Sequence, residues 1–70
     1  MNNDLATRRL TRGWTQADLA AALGVSRQTV ISIERGRFDP SLPLAFLIAR
    51  TFGCTIEDVF TDDGTKGSTT

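Results

Sequence analysis

The sequence predicts an all-α fold, a compact bundle of five short helices. Two observations carry this. Apolar residues recur at helical spacing, as in Leu19 and Leu23, Val30 and Ile33, and Leu44, Ile48 and Phe52. The segments so defined are punctuated: Thr15, Ser26, Ser41 and Thr55 stand where caps are wanted, and Gly13, Gly24 and Gly53 follow the ends. Periodicity and punctuation agree, which strengthens the reading beyond either signal.

In chain order, Met1–Asn3 reads as a frayed end. Asp4–Arg12 reads as the first helix, acidic at its positive end and arginine-rich toward its negative end. Leu5 and Leu10 are its candidate core residues. Trp14 is expected to wedge between helices with its indole N–H in water. Thr15 can cap the second helix while Asp18 bonds back, a near relative of the capping box. Gly24 supplies the positive φ that ends it, Val25 tucks under the turn, and Ser26 caps the third helix. Two helices joined this tightly cross closely, so a small residue is needed, and Ala20 supplies it.

Glycine and proline mark residues 36–41 as a loop. Ser41 caps the helix Leu42–Phe52, where Pro43 is tolerated in the first turn. Leu44, Ala45, Ile48 and Phe52 form its inward stripe. Thr55 caps a last helix, Ile56–Phe60. Residues 1–61 are therefore read as one domain, and residues 62–70 as a polar, disordered tail.

Seventy residues leave little room for an enclosed active site. Histidine is absent and Cys54 is the single cysteine, so neither a Ser-His or Cys-His pair nor a zinc site of the usual ligands can be built within one chain. No cofactor and no metal are implied, and an enzyme is not expected. No apolar run approaches a membrane span, and no leader is visible, which reads as a cytoplasmic chain. Net charge is zero but segregated. Residues 8–37 hold six arginines against Asp18 and Glu34, whereas residues 38–63 hold Arg50 against five carboxylates. A local positive field matters more for docking than the sum.

Arg12-Gly13-Trp14-Thr15-Gln16, Leu19-Ala20, Leu23-Gly24-Val25-Ser26 and Ile33-Glu34-Arg35-Gly36, continued by Asp39-Pro40-Ser41-Leu42 and Ile56-Glu57-Asp58-Val59-Phe60, resemble the phage repressor and Cro-like (XRE-type) helix-turn-helix regulators. The resemblance covers almost the whole chain. It implies a lambda-repressor-like domain in which helices 2 and 3 form the motif and helix 3 enters the major groove of double-stranded DNA. It also implies a bacterial or phage source. Two residues depart from the family pattern: Arg8, where an aliphatic side chain is usual and which here is expected to snorkel outward, and Leu47, where a polar one is usual. Leu47 beside Phe46 is read as part of a homodimer contact.

By this resemblance Arg27, Gln28, Ile31 and Ser32 are the base readers. Arg27 can bind guanine O6 and N7 with two bonds, and Gln28 can do the same to adenine N6 and N7. Ile31 is read equally as a contact to a thymine methyl or as an extra core residue. Ser32 is short and suits a water bridge. Gln16, Ser26, Thr29, Arg35 and Arg37 are expected at phosphates, with Gln16 also bracing the reading helix. Arg9 and Glu34 are expected to pair across the first and third helices. As an exposed pair they would contribute only about 0–1 kcal/mol, and their value would be geometric.

The function so read is a sequence-specific transcriptional regulator, a repressor acting as a homodimer. The alternative is a protein-interaction module on the same fold, such as an antitoxin that masks a small protein partner.

Overall fold

Local side-chain chemistry starts most helices of this protein at the residues where the sequence places them. The structure, a computed structural model, describes residues 1–61. Its helices are α1 (Leu5–Thr11), α2 (Gln16–Leu23), α3 (Arg27–Glu34), α4 (Leu42–Phe52) and α5 (Ile56–Val59). Two short strands, β1 (Asn2–Asn3) and β2 (Phe60–Thr61), pair antiparallel. Thr15 and Asp18 form a full capping box: the Asp18 amide donates to Thr15 Oγ1 (3.0 Å) and the Thr15 amide to Asp18 Oδ2 (2.8 Å). Thr55 and Asp58 repeat it at 3.2 and 3.0 Å. Ser26 and Ser41 accept from the amides of Thr29 and Leu44. Gly24 has φ 70°, which an L side chain would adopt only with strain. The Val25 amide then donates back to the Ala20 carbonyl at 3.0 Å, turning the chain into α3.

The core gathers one to three side chains from each helix and Phe60 from β2. Leu5, Leu19, Val30, Ile33, Ile48 and Val59 are fully buried, and Ala20 lies among them. Each such aliphatic side chain contributes about 1.5–3 kcal/mol by leaving water. α3 packs on α2 and α1, and α4 on α2 and α5. Trp14, Val25, Leu44 and Phe52 close the margin of this core as half-buried residues. Trp14 meets Phe52 at 5.9 Å between ring centroids, with the Arg12 guanidinium over both rings. No described helix is long and apolar enough to cross a membrane.

Five expectations are corrected. Residues 1–3 are not frayed: Asn2 and Asn3 pair with Thr61 and Phe60, and the Asp4 amide donates to the Val59 carbonyl (3.0 Å). The first helix starts at Leu5, whose amide is taken by Asn3 Oδ1, while the Asp4 carboxylate is held by Arg8. Leu10 is exposed, because five residues on from Leu5 it lies about 140° away around the helix. Phe60 leaves α5 for β2 and is buried there. On α4, Leu47 packs half-buried against the core, Ala49 is buried as well, and Phe46 is the exposed neighbour. The tail expected at 62–70 lies outside the described residues.

Candidate nucleic-acid interface

α3 has one face in the core and one free. Val30 and Ile33 anchor the inner face. Arg27 and Gln28, in the first turn, are exposed. Ile31 and Ser32, a turn later, are half-buried. Ile31 does not join the core, so the reading of it as an extra core residue is not supported. The Ser32 carbonyl accepts from the Arg37 and Phe38 amides at 3.0 and 3.3 Å, tying the following loop to the helix.

A polar hub fixes this helix. Arg9 Nε donates to Glu34 Oε2 at 2.7 Å and Arg9 Nη2 to Glu34 Oε1 at 3.3 Å. Arg9 Nη1 donates to the Trp14 carbonyl at 2.9 Å. The pair is not an exposed one: the side chains of Arg9 and Glu34 are only 11% and 7% accessible. A two-pronged guanidinium–carboxylate contact fixes direction as well as distance. Gln16 Nε2 joins the same carboxylate at 3.2 Å, and Gln16 Oε1 faces Arg27 Nη2 at 3.5 Å. A continuous chain of contacts thus runs from α1 through α3 and α2 to Arg27.

Ser26 and Thr29, at the mouth of α3, share a bond between their hydroxyls (2.9 Å). Ser26 Oγ also accepts from the Thr29 amide. Arg35 and Arg37, past the other end, are exposed and make no side-chain bond among the described residues.

The structure sorts the arginines that the sequence had only counted. Arg8 bonds Asp4 at 2.9 Å and reaches the Asp58 carbonyl at 3.3 Å; its pKa is raised, first by the bond to Asp4. Arg9 is spent on Glu34, and Arg12 lies over Trp14 and Phe52. Among the described residues, the cations of the positive half with neither a carboxylate partner nor an aromatic seat are therefore Arg27, Arg35 and Arg37, all on α3 or just beyond it. Among the described residues no cluster of potential metal ligands occurs.

Asn3 had no place in the sequence reading. Its Nδ2 donates to the Ile33 carbonyl at 2.8 Å while its Oδ1 accepts from the Leu5 amide at 3.1 Å. One side chain thus brackets the start of α1 and the end of α3. No sequence signal marks it, since an isolated Asn near a chain end reads as turn or coil.

A family profile described as helix-turn-helix matches residues 5–59. The chain belongs to the helix-turn-helix family. An HTH-type transcriptional regulator of Methanocaldococcus jannaschii is 58% identical over 60 residues, covering 86% of this chain and 91% of the relative. A Bacillus subtilis protein of the same description is 43% identical over the same shares. These two relatives come from an archaeon and a bacterium. Among solved structures, the clp gene regulator ClgR of Corynebacterium glutamicum matches at TM-score 0.68 with 31% identity, over 77% of this chain and 57% of that one. A hypothetical transcription factor from Neisseria matches at 0.71 with 27% identity, over 79% and 62%. The chain thus spans about three-fifths of the length of these two structures. The helix-turn-helix of this protein is α2 and α3 with the Gly24 turn between them. It is a helix-turn-helix regulator and not an enzyme.

Proposed function

We propose that this protein binds double-stranded DNA as a homodimer and represses transcription, reading the major groove with α3. The observation that carries the reading is the exposed pair Arg27 and Gln28 at the start of a helix whose opposite face is locked in the core. Such a helix can present its first turn to base edges without rearranging. Arg27 suits guanine and Gln28 adenine, Ile31 suits a thymine methyl, and Ser32 acts through water. Gln16, Ser26, Thr29, Arg35 and Arg37 border α3 and serve phosphates, which set register and not sequence. In a dimer the two reading helices address half-sites about 34 Å apart. The protein acts in the cytoplasm of an archaeal, bacterial or phage-bearing host. The second reading, a module that masks a small protein partner, draws on the exposed Leu42 and Phe46.

Fluorescence anisotropy with DNA from upstream of its own gene, against a shuffled duplex, tests this over a salt series. The expected result is preference for the natural sequence, lost in Arg27→Ala and Gln28→Ala. Those changes cost about 1–3 kcal/mol each at the affected base pair. Binding that is steeply salt-dependent but indifferent to sequence reduces the activity to phosphate contact. No binding to either duplex at low salt sinks the reading and favours the masking module.

A further inference from the structure

The exposed side of α4 is apolar where a lone surface helix is usually polar. Leu42 is 63% and Phe46 49% accessible. Beside Phe46 runs an open groove of about 320 Å³ lined by Ala49, Cys54 and Ile56, with Arg50 and Glu57 at its sides. Ile56 also lines a second groove of about 270 Å³, which Leu42 borders.

The charges at the first groove stand out from the rest of the molecule. Asp4 and Glu34 pair with Arg8 and Arg9, Asp39 with the Met1 amino group, and Asp18 and Asp58 cap helices. Among the described residues Glu57 is the one carboxylate without such a partner. Among the same residues Arg50 likewise has no carboxylate partner, and unlike Arg35 and Arg37 it lies far along the chain from α3. Two unpaired charges of opposite sign border one apolar groove and do not bond each other.

A two-fold contact demands a self-complementary patch, in which residue i meets j and j meets i across the axis. We propose that this face binds a second copy of the chain, with Phe46 of each protomer set against the groove beside Ile56 of the other and Arg50 of each meeting Glu57 of the other. The proposal rests on the homodimer reading and names its surface. It moves the contact from Leu47, which the core has taken, to Phe46. Residues 62–70 are a poor occupant, since they include no aliphatic or aromatic side chain. The outer side of α3 stays open, because α3 packs mainly on α1 and α2, and α4 mainly on α2 and α5.

Charge reversal tests it. Wild type, Arg50→Glu, Glu57→Arg, an equimolar mixture of the two variants, and Phe46→Ala are compared by sedimentation velocity over a concentration series. Sedimentation is repeated on a two-half-site duplex. Each reversal alone places like charges across the axis, and the dimer dissociation constant rises roughly tenfold or more. Phe46→Ala weakens association by a similar factor. The mixture restores association, because both cross-protomer pairs are then opposite in sign; misfolded variants would not rescue each other. A wild-type dimer that none of the changes weakens overturns this surface and leaves the homodimer intact. A wild-type protein monomeric in solution and on DNA overturns the homodimer reading together with its surface, and leaves the face to a foreign partner. Base reading is scored separately by Arg27→Ala, so the failures are distinguishable.

Discussion

The half of the molecule around α3 and the half around α4 are held by different forces. Around α3, polar side chains bond across elements: Arg9 to Glu34, Gln16 to Glu34, Asn3 to the Ile33 carbonyl. Around α4 and α5, side-chain hydrogen bonds are mostly local, as in the caps at Ser41 and Thr55 and the bond from Thr51 to the Leu47 carbonyl, and Arg8 alone among the described residues reaches across, to the Asp58 carbonyl. There the elements meet through Ala45, Ile48, Val59 and Phe60. Apolar burial is strong but non-directional. A two-pronged ion pair is directional and sets the angle at which a helix stands. The directional bonds are concentrated on the helix whose outer face is proposed to read bases. The half proposed to meet a second copy of the chain has fewer of them.

The largest way to break the contrast is to remove Glu34. Glu34→Ala leaves Arg9 charged, nearly buried and unpaired, and is expected to cost about 3–5 kcal/mol in urea unfolding. Replacing both partners with apolar residues of similar size is expected to recover much of that stability. DNA binding by the double variant then stays impaired if the pair serves orientation. Full binding by it would show that the pair has no such role.

A smaller loss is expected for Asn3→Ala, which strips a partner from the Ile33 carbonyl and the Leu5 amide. Thermal unfolding should register about 1–3 kcal/mol. A change within a few tenths would mean that water replaces the side chain and that β1 adds nothing to the placement of α3.

The two capping boxes give the finest comparison, because the same chemistry appears once in each half. Thr15→Ala and Thr55→Ala should each cost about 0.5–2 kcal/mol. The carboxyls of Asp18 and Asp58 lie below the ordinary value, first because the Thr15 and Thr55 amides donate to them, then through the hydroxyls. Folding therefore favours their ionised form. That stability is present above the unfolded carboxylate value, about 3.9, and is lost as pH falls through the lower folded values. The urea midpoint of the wild type should fall on acidification below about pH 4 more than that of Asp18→Asn or Asp58→Asn. Equal falls in all three would remove the caps from the acid response.

What could be read ahead of the structure follows this division. Caps are short-range, so Thr15 with Asp18, Ser26, Ser41 and Thr55 are visible in sequence and stand where expected, while the return bond from the Thr55 amide to Asp58 comes from the structure. Helix faces are nearly as legible, with Leu19, Leu23, Val30, Ile33 and Ile48 all buried. Leu10 departs from its expected place because its hydrophobicity says nothing of its angle from Leu5 around the helix. The β1–β2 pair failed because neither Asn-Asn nor Phe-Thr is long enough to show an alternating pattern, and each needs the other end of the chain as template. The Arg9–Glu34 pair was found through family resemblance, but its burial was not. Burial depends on how α1 lies over α3, which no local pattern states. Gln16 was expected at a phosphate and as a brace, and its bond to Glu34 gives the brace a physical form.

The β1–β2 clasp also has a kinetic meaning. Asn2 and Thr61 are partners roughly sixty residues apart in sequence, whereas α2 and α3 meet across a three-residue turn. Closing a long loop costs more chain entropy than closing a short one, and rates fall as contacts become less local. The helical hairpin can assemble from its neighbours alone, and the clasp has to wait for a chain already folded between its ends. Hydrogen exchange should therefore find the Asp4 amide, bonded across to Val59, opening well before the interior amides of α2. In the partial openings that come most readily, the molecule comes undone at the seam and keeps its hairpin.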